Sequence, residues 1–201
     1  MSIDDKYEEY YQEQLRRGEE YQDFVVGLLC REKGLAVTQF RSKRRQYQDG
    51  ETPSGIEIKL DDIRRTTGNL YIEYGEKRHP RPGSYAPAGI HRTTWIYAIG
   101  DYRILYLLPV SQLLAAKDMT LANGRLKYRR VENQFKTSEG YLLPCRDACK
   151  IGCVVPVSRD RTMGKVRDDT AKLAGELAAQ LLKEMLRDKD QGFFPFDAEL
   201  S

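Results

Sequence analysis

Between residues 49 and 59 the chain reads Asp49-Gly50-Glu51-Thr52-Pro53-Ser54-Gly55-Ile56-Glu57-Ile58-Lys59, which sets three carboxylates and an amine around a turn. Thr52 to Gly55 is turn chemistry. Ile56, Ile58 and Leu60 then alternate with Glu57, Lys59 and Asp61, as on a strand with one apolar and one polar face. Glu57 and Lys59 therefore share a face. If the turn folds the preceding segment back, Asp49 or Glu51 comes beside Glu57. Two carboxylates that close repel unless a cation sits between them. Oxygen-only ligands of this kind suit Mg²⁺ or Mn²⁺. A lysine next to such an ion can orient an attacking water, help to deprotonate it, or stabilise a pentavalent phosphate. That is the chemistry of phosphodiester hydrolysis rather than acyl transfer.

The elements that must hold these residues can be read on either side. Asp4 to Glu13 is nearly all acid, Tyr and Gln, a helical lead-in with little core of its own. After Gly18, Phe24, Val25, Leu28 and Leu29 recur at helical spacing up to Lys33-Gly34, a basic last turn and a C-cap. Leu35–Phe40 predicts a short strand, and Arg41, Lys43, Arg44 and Arg45 follow as a basic patch. Leu70–Tyr74 predicts a second strand after a polar connection. If it neighbours the Glu57 strand, Glu73 lines the same face as a further ligand or water-holder. His79 to Gly89 is a Pro- and Gly-rich loop. Thr94–Ile99 and Arg103–Leu108 predict a strand pair joined at Gly100-Asp101, and Pro109 opens a short helix over Val110–Ala116. Leu126–Tyr128 and Val154–Val157 are β-like pieces. Val166–Leu186 predicts an amphipathic helix, before the aromatic tail Phe193-Phe194-Pro195-Phe196. These patterns predict a helical lead-in over 1–17, an α/β domain around a mixed sheet over 18–160, and a C-terminal helix and tail over 161–201.

Composition narrows the class. The chain has 201 residues, 40% hydrophobic and 31% charged, enough for a core under a heavily charged surface. Lys and Arg number 33 against 30 Asp and Glu, so any nucleic-acid site must come from local clustering. Arg41, Lys43, Arg44, Arg45, Arg64 and Arg65 supply such a cluster around the carboxylates. No apolar run approaches a membrane span, and the N-terminus lacks a signal peptide's apolar stretch, so a cytoplasmic protein is expected. No phosphate loop or dinucleotide-binding glycine pattern is present.

The Glu57-x-Lys59 strand, its preceding turn and the acidic helix before it resemble the PD-(D/E)XK, or restriction-endonuclease-like, nuclease superfamily, in a phage or bacterial form. The resemblance spans roughly residues 18–116. It implies an αβββαβ core with a mixed central sheet flanked by helices, and a Mg²⁺- or Mn²⁺-dependent nuclease that cuts DNA. Glu57 and Lys59 would be the second half of the motif. Asp49 or Glu51 would be the first acid, and the helix would contribute Glu20, at the end of its buried stripe. Cutting both strands with one site per chain would favour a homodimer. An RNA substrate uses the same site. A non-catalytic nucleic-acid-binding accessory protein on this fold is the alternative.

Two further groups carry weaker signals. Cys145, Cys149 and Cys153, with Cys30 or a His as a fourth ligand, could hold a structural zinc; with Cys30 they also superficially resemble the iron–sulfur ligands of some nucleases of this superfamily, and they read otherwise as reduced thiols. His79 and His91 flank the loop and read as surface residues or acid–base groups.

Overall fold

A computed structural model describes residues 3–33, 55–77, 83–91 and 95–157. The expected strand at 35–40, the C-terminal helix and the aromatic tail lie outside these residues. The chain is mixed α/β. Helix α1 is Ile3–Lys33, followed by β1 (Ile56–Leu60), α2 (Arg64–Thr67), β2 (Asn69–Glu76) and β3 (Ala86–Pro87). A single 3-10 turn, Gly89–His91, leads to β4 (Ile96–Gly100), β5 (Ile104–Pro109) and α3 (Val110–Lys117). Then come β6 (Arg130–Glu132), β7 (Ser138–Pro144), α4 (Cys145–Ile151) and β8 (Cys153–Pro156).

α1 is one helix, so the lead-in and the helix expected after Gly18 are a single element. Gly18 costs a helix about 1 kcal/mol. Arg16 offsets part of that by bridging Glu13 at 2.7 Å and Glu20 at 2.5 Å along the exposed face. The N-terminal half also has a partner. The Tyr7 and Tyr10 rings pack on Phe135, with centroids 5.6 and 4.7 Å away.

Among the described residues two four-stranded sheets follow, ordered β1-β4-β5-β8 and β3-β2-β7-β6. The first is mixed, because β1 runs parallel to β4 while β4, β5 and β8 are antiparallel. The second is wholly antiparallel, and it takes β2, the strand expected at Leu70–Tyr74, out of the single mixed sheet that the sequence predicts. The strand pair expected on either side of Gly100-Asp101 is β4 and β5, and α3 starts directly after Pro109. Leu126–Tyr128 is not a strand: Leu126 makes one isolated bridge, to Thr120.

The mixed sheet is covered on both faces. Tyr21, Val25, Leu28 and Leu29 of α1 pack on Ile56, Ile58, Ile96, Ala98, Leu105 and Leu107. On the other face Tyr97, Ile99, Tyr106 and Leu108 meet Leu70, Ile72, Tyr141 and Leu143 of the second sheet, closed at one end by Val110, Leu113 and Ala148. β1 is thus a strand whose polar alternate positions look into a layer boundary rather than into water.

Candidate active site

Glu57 and Lys59 project from β1 on the side facing the second sheet. Parallel pairing sets Glu57 against Tyr97 and Lys59 against Ile99, so these four residues share one face. Gly55 starts the pairing: its carbonyl accepts from the Trp95 N–H at 2.7 Å, and its φ of 70° brings its backbone against the Trp95 indole. At the far end of β1, Asp61 ties this strand to β2. Its carboxylate accepts from the Tyr71 N–H at 2.8 Å and from the Arg64 N–H at 3.1 Å. Burial raises the Asp61 carboxyl above its ordinary range, with those two bonds working against the rise.

That tie brings β2 alongside β1 although the two strands belong to different sheets. Lys59 Nζ lies 3.0 Å from Glu57 Oε1 and 3.4 Å from Glu73 Oε2. The strand of Glu73 does not neighbour that of Glu57, as the expectation for Glu73 required; the two acids instead contact the same lysine from different sheets. β2 shifts register against β7 between Glu73 and Gly75, a local irregularity of the kind that re-aims side chains. Gly89, at φ 52°, presses its Cα against the Glu73 carbonyl, where a Cβ would come within 2.2 Å of that oxygen.

Glu57 has no solvent exposure, whereas the side chain of Lys59 is 31% exposed and that of Glu73 15%. The polar face predicted for β1 is thus buried at Glu57 and opens toward Lys59. Neither Glu57 oxygen has a hydrogen-bond partner, although Oε1 lies 3.0 Å from the Lys59 ammonium. Burial pushes the Tyr97 phenol well above its ordinary range; Lys59 opposes this, and Glu73 and Glu57 add to it. Tyr97 stays a neutral hydroxyl beside the acids. An unsatisfied buried carboxylate oxygen costs a few kcal/mol unless something polar meets it.

Two carboxylates flank one ammonium here, and carboxylate oxygens are the donors that a small hard cation takes. Glu57 and Glu73 are the residues here that could hold one. No group of three or more His, Cys, Asp or Glu gathers in metal-holding geometry among the described residues. Asp49 and Glu51 lie outside those residues, as do Arg41, Lys43, Arg44, Arg45 and His79.

Other expected residues lie apart from this cluster. Glu20 is on the solvent face of α1, its side chain 57% exposed and paired with Arg16. It was expected at the end of the buried stripe, but that stripe passes through Tyr21, one residue and about 100° further round. Arg64 is buried, with Nη2 2.6 Å from Asp101, and Arg65 Nε reaches the same carboxylate at 2.7 Å. Asp101 also accepts from the Arg103 N–H at 2.7 Å and the Ile104 N–H at 3.2 Å. Both arginines thus clamp the β4–β5 turn. Cys145, Cys149 and Cys153 are free thiols, and His91 is exposed. Tyr97 was missed by sequence reasoning, because an aromatic inside an apolar strand reads as core.

No protein-family model matches the chain, and neither a curated relative nor a solved structure does. No helix among the described residues is long and apolar enough to cross a membrane.

Proposed function

We propose that this protein is a divalent-metal-dependent nuclease that hydrolyses DNA phosphodiester bonds on a restriction-endonuclease-like core. One observation carries the reading: a fully buried glutamate with unsatisfied oxygens shares a strand face with a partly exposed lysine, and a second carboxylate meets that lysine from another strand. Ordinary strand charges face water and need no such burial.

In this reading Glu57 and Glu73, with Asp49 or Glu51, hold Mg²⁺ or Mn²⁺. When bound, the ion supplies charge neutralisation at the phosphoryl oxygens and lowers the pKa of a bound water. Lys59 Nζ donates hydrogen bonds that orient the attacking water and stabilise negative charge on the phosphoryl group. Glu20 takes no part in this reading, because α1 packs on the face of the mixed sheet opposite Glu57 and Lys59 and Glu20 lies on its solvent side. Arg41, Lys43, Arg44 and Arg45 contact the DNA backbone, and a homodimer in the cytoplasm would cut both strands.

The test is cleavage of plasmid and linear DNA by the purified chain with Mg²⁺ or Mn²⁺, beside EDTA, Lys59→Ala and Glu73→Gln. Metal-dependent cutting that falls at least about a hundredfold in Lys59→Ala is expected. Circular dichroism of each variant separates lost chemistry from lost fold. DNA binding in EDTA without any cutting would instead identify a non-catalytic accessory module. Cutting of RNA alone would move the substrate class.

A further inference from the structure

Residues 117–130 hold five basic side chains, Lys117, Arg125, Lys127, Arg129 and Arg130, against the single acid Asp118. The middle of this stretch is an exposed hairpin. Thr120 and Leu126 form its bridge. The Leu121 N–H donates to the Arg125 carbonyl at 2.8 Å and the Lys127 N–H to the Met119 carbonyl at 2.8 Å. The turn closes with the Gly124 N–H on the Leu121 carbonyl at 2.9 Å. Gly124 has φ 77°, a conformation that a side chain would strain.

Cross-strand pairing sets Met119 opposite Lys127 and Leu121 opposite Arg125 on one face, with Thr120 and Leu126 on the other. Met119, Leu121 and Leu126 are exposed by 42%, 48% and 38%. They are three of the five large exposed hydrophobics among the described residues, gathered in one short ribbon. Scattered apolar exposure needs no explanation, but apolar side chains concentrated beside cations do.

The base of the ribbon is basic and aromatic. The Lys117 ammonium and the Arg130 guanidinium lie 5.5 and 5.9 Å from the centre of the Tyr74 ring, and Asp118 pairs with both cations. The Lys127 ammonium lies 5.0 Å from the centre of the Tyr128 ring. Tyr74 directly follows Glu73 on β2, so this patch and the carboxylate cluster share a strand.

We propose that the 119–127 hairpin, with Arg129 and Arg130 at its base, is a docking ribbon for duplex DNA. Arg125, Lys127 and Arg129 neutralise phosphates, while Met119 and Leu121 meet sugar or base edges. Charge complementarity selects a polyanion, and a two-stranded ribbon fits a major groove about 12 Å wide. A lipid surface is the poorer match, because the hairpin has no Trp or Phe of the kind that anchors interfacial segments. The choice of DNA rests on the nuclease reading; the ribbon's charge and exposed apolar residues do not.

The experiment is fluorescence anisotropy of the full chain in EDTA with a labelled mixed-sequence duplex, repeated from about 50 to 200 mM salt. The triple variant Arg125→Ala, Lys127→Ala, Arg129→Ala should bind at least about tenfold more weakly. Its slope of log affinity against log salt should flatten by about 2–3, each phosphate contact contributing about 0.9. Leu121→Ser should weaken binding with the slope unchanged. Thermal melting confirms that each variant is folded. Equal affinity and slope in the triple variant overturns the proposal. So does binding to phosphatidylserine vesicles or single-stranded RNA with no duplex binding. A wild-type chain that binds duplex through the ribbon yet never cuts counts against the nuclease reading alone.

Discussion

Lys59 is the residue on which the cluster balances. It neutralises Glu57, which has no access to solvent, and reaches Glu73 as well. Breaking such a pair from one side is costly, because the remaining charge stays buried, whereas replacing both partners by neutral groups of similar shape is far milder. Lys59→Met should therefore lower unfolding stability by about 3 kcal/mol, and Glu57→Gln combined with Lys59→Met should recover most of that loss. Urea melts of these two variants and of Glu57→Gln alone measure it. Additive losses would mean that Glu57 and Lys59 do not interact. This cycle reads the geometry independently of cleavage.

At the scale of elements, the site depends on how β2 is held. β1 is fixed by parallel pairing to β4, but β2 reaches Lys59 from another sheet, tied by Asp61 at one end and backed by the 3-10 turn at Gly89. Gly89 is irreplaceable for two reasons, its φ of 52° and the Glu73 carbonyl that a Cβ would strike. The obstacle is backbone, which cannot swing aside as a flexible side chain does. Gly89→Ala should cost at least about 2 kcal/mol and displace Glu73 from Lys59. A Tm lowered by several degrees would report the first effect, and, if the proposed metal-dependent reading holds, weaker Mg²⁺ binding by calorimetry would report the second. An unchanged Tm would show that the turn relaxes freely.

For the whole molecule, Asp101 joins α2 to the β4–β5 turn, receiving Arg64, Arg65 and two backbone N–H groups. Burial alone would raise its carboxyl. The Arg65 bond, the Arg103 N–H and the Arg64 charge outweigh that and hold it below the ordinary range. A carboxylate depressed in the folded state contributes stability that is full above its unfolded pKa, near 3.9. That contribution is lost as pH falls through the folded value. Asp101→Asn should cost about 3 kcal/mol at neutral pH, chiefly by stranding the buried Arg64. The deficit against wild type should shrink below about pH 4. Paired chemical denaturation at neutral and acid pH checks this, and a constant deficit would assign the loss to packing instead.

Local chemistry alone determined much of the framework. The period-two run at Ile56–Leu60, the β4–β5 pair and the helix opened by Pro109 are all written in neighbouring residues, because alternation, turn residues and caps act over a few positions. Glu57 and Lys59 were legible as a shared strand face for the same reason. What that face meets was not legible. A strand pattern states which residues point together, but not whether the space beyond them is water or a second sheet. Only tertiary packing buried Glu57, brought Glu73 across from β2, drew Arg64 and Arg65 to Asp101, and left Glu20 in solvent. Each of those outcomes is set by contacts between distant segments, where charge and spacing along the chain carry no information about depth.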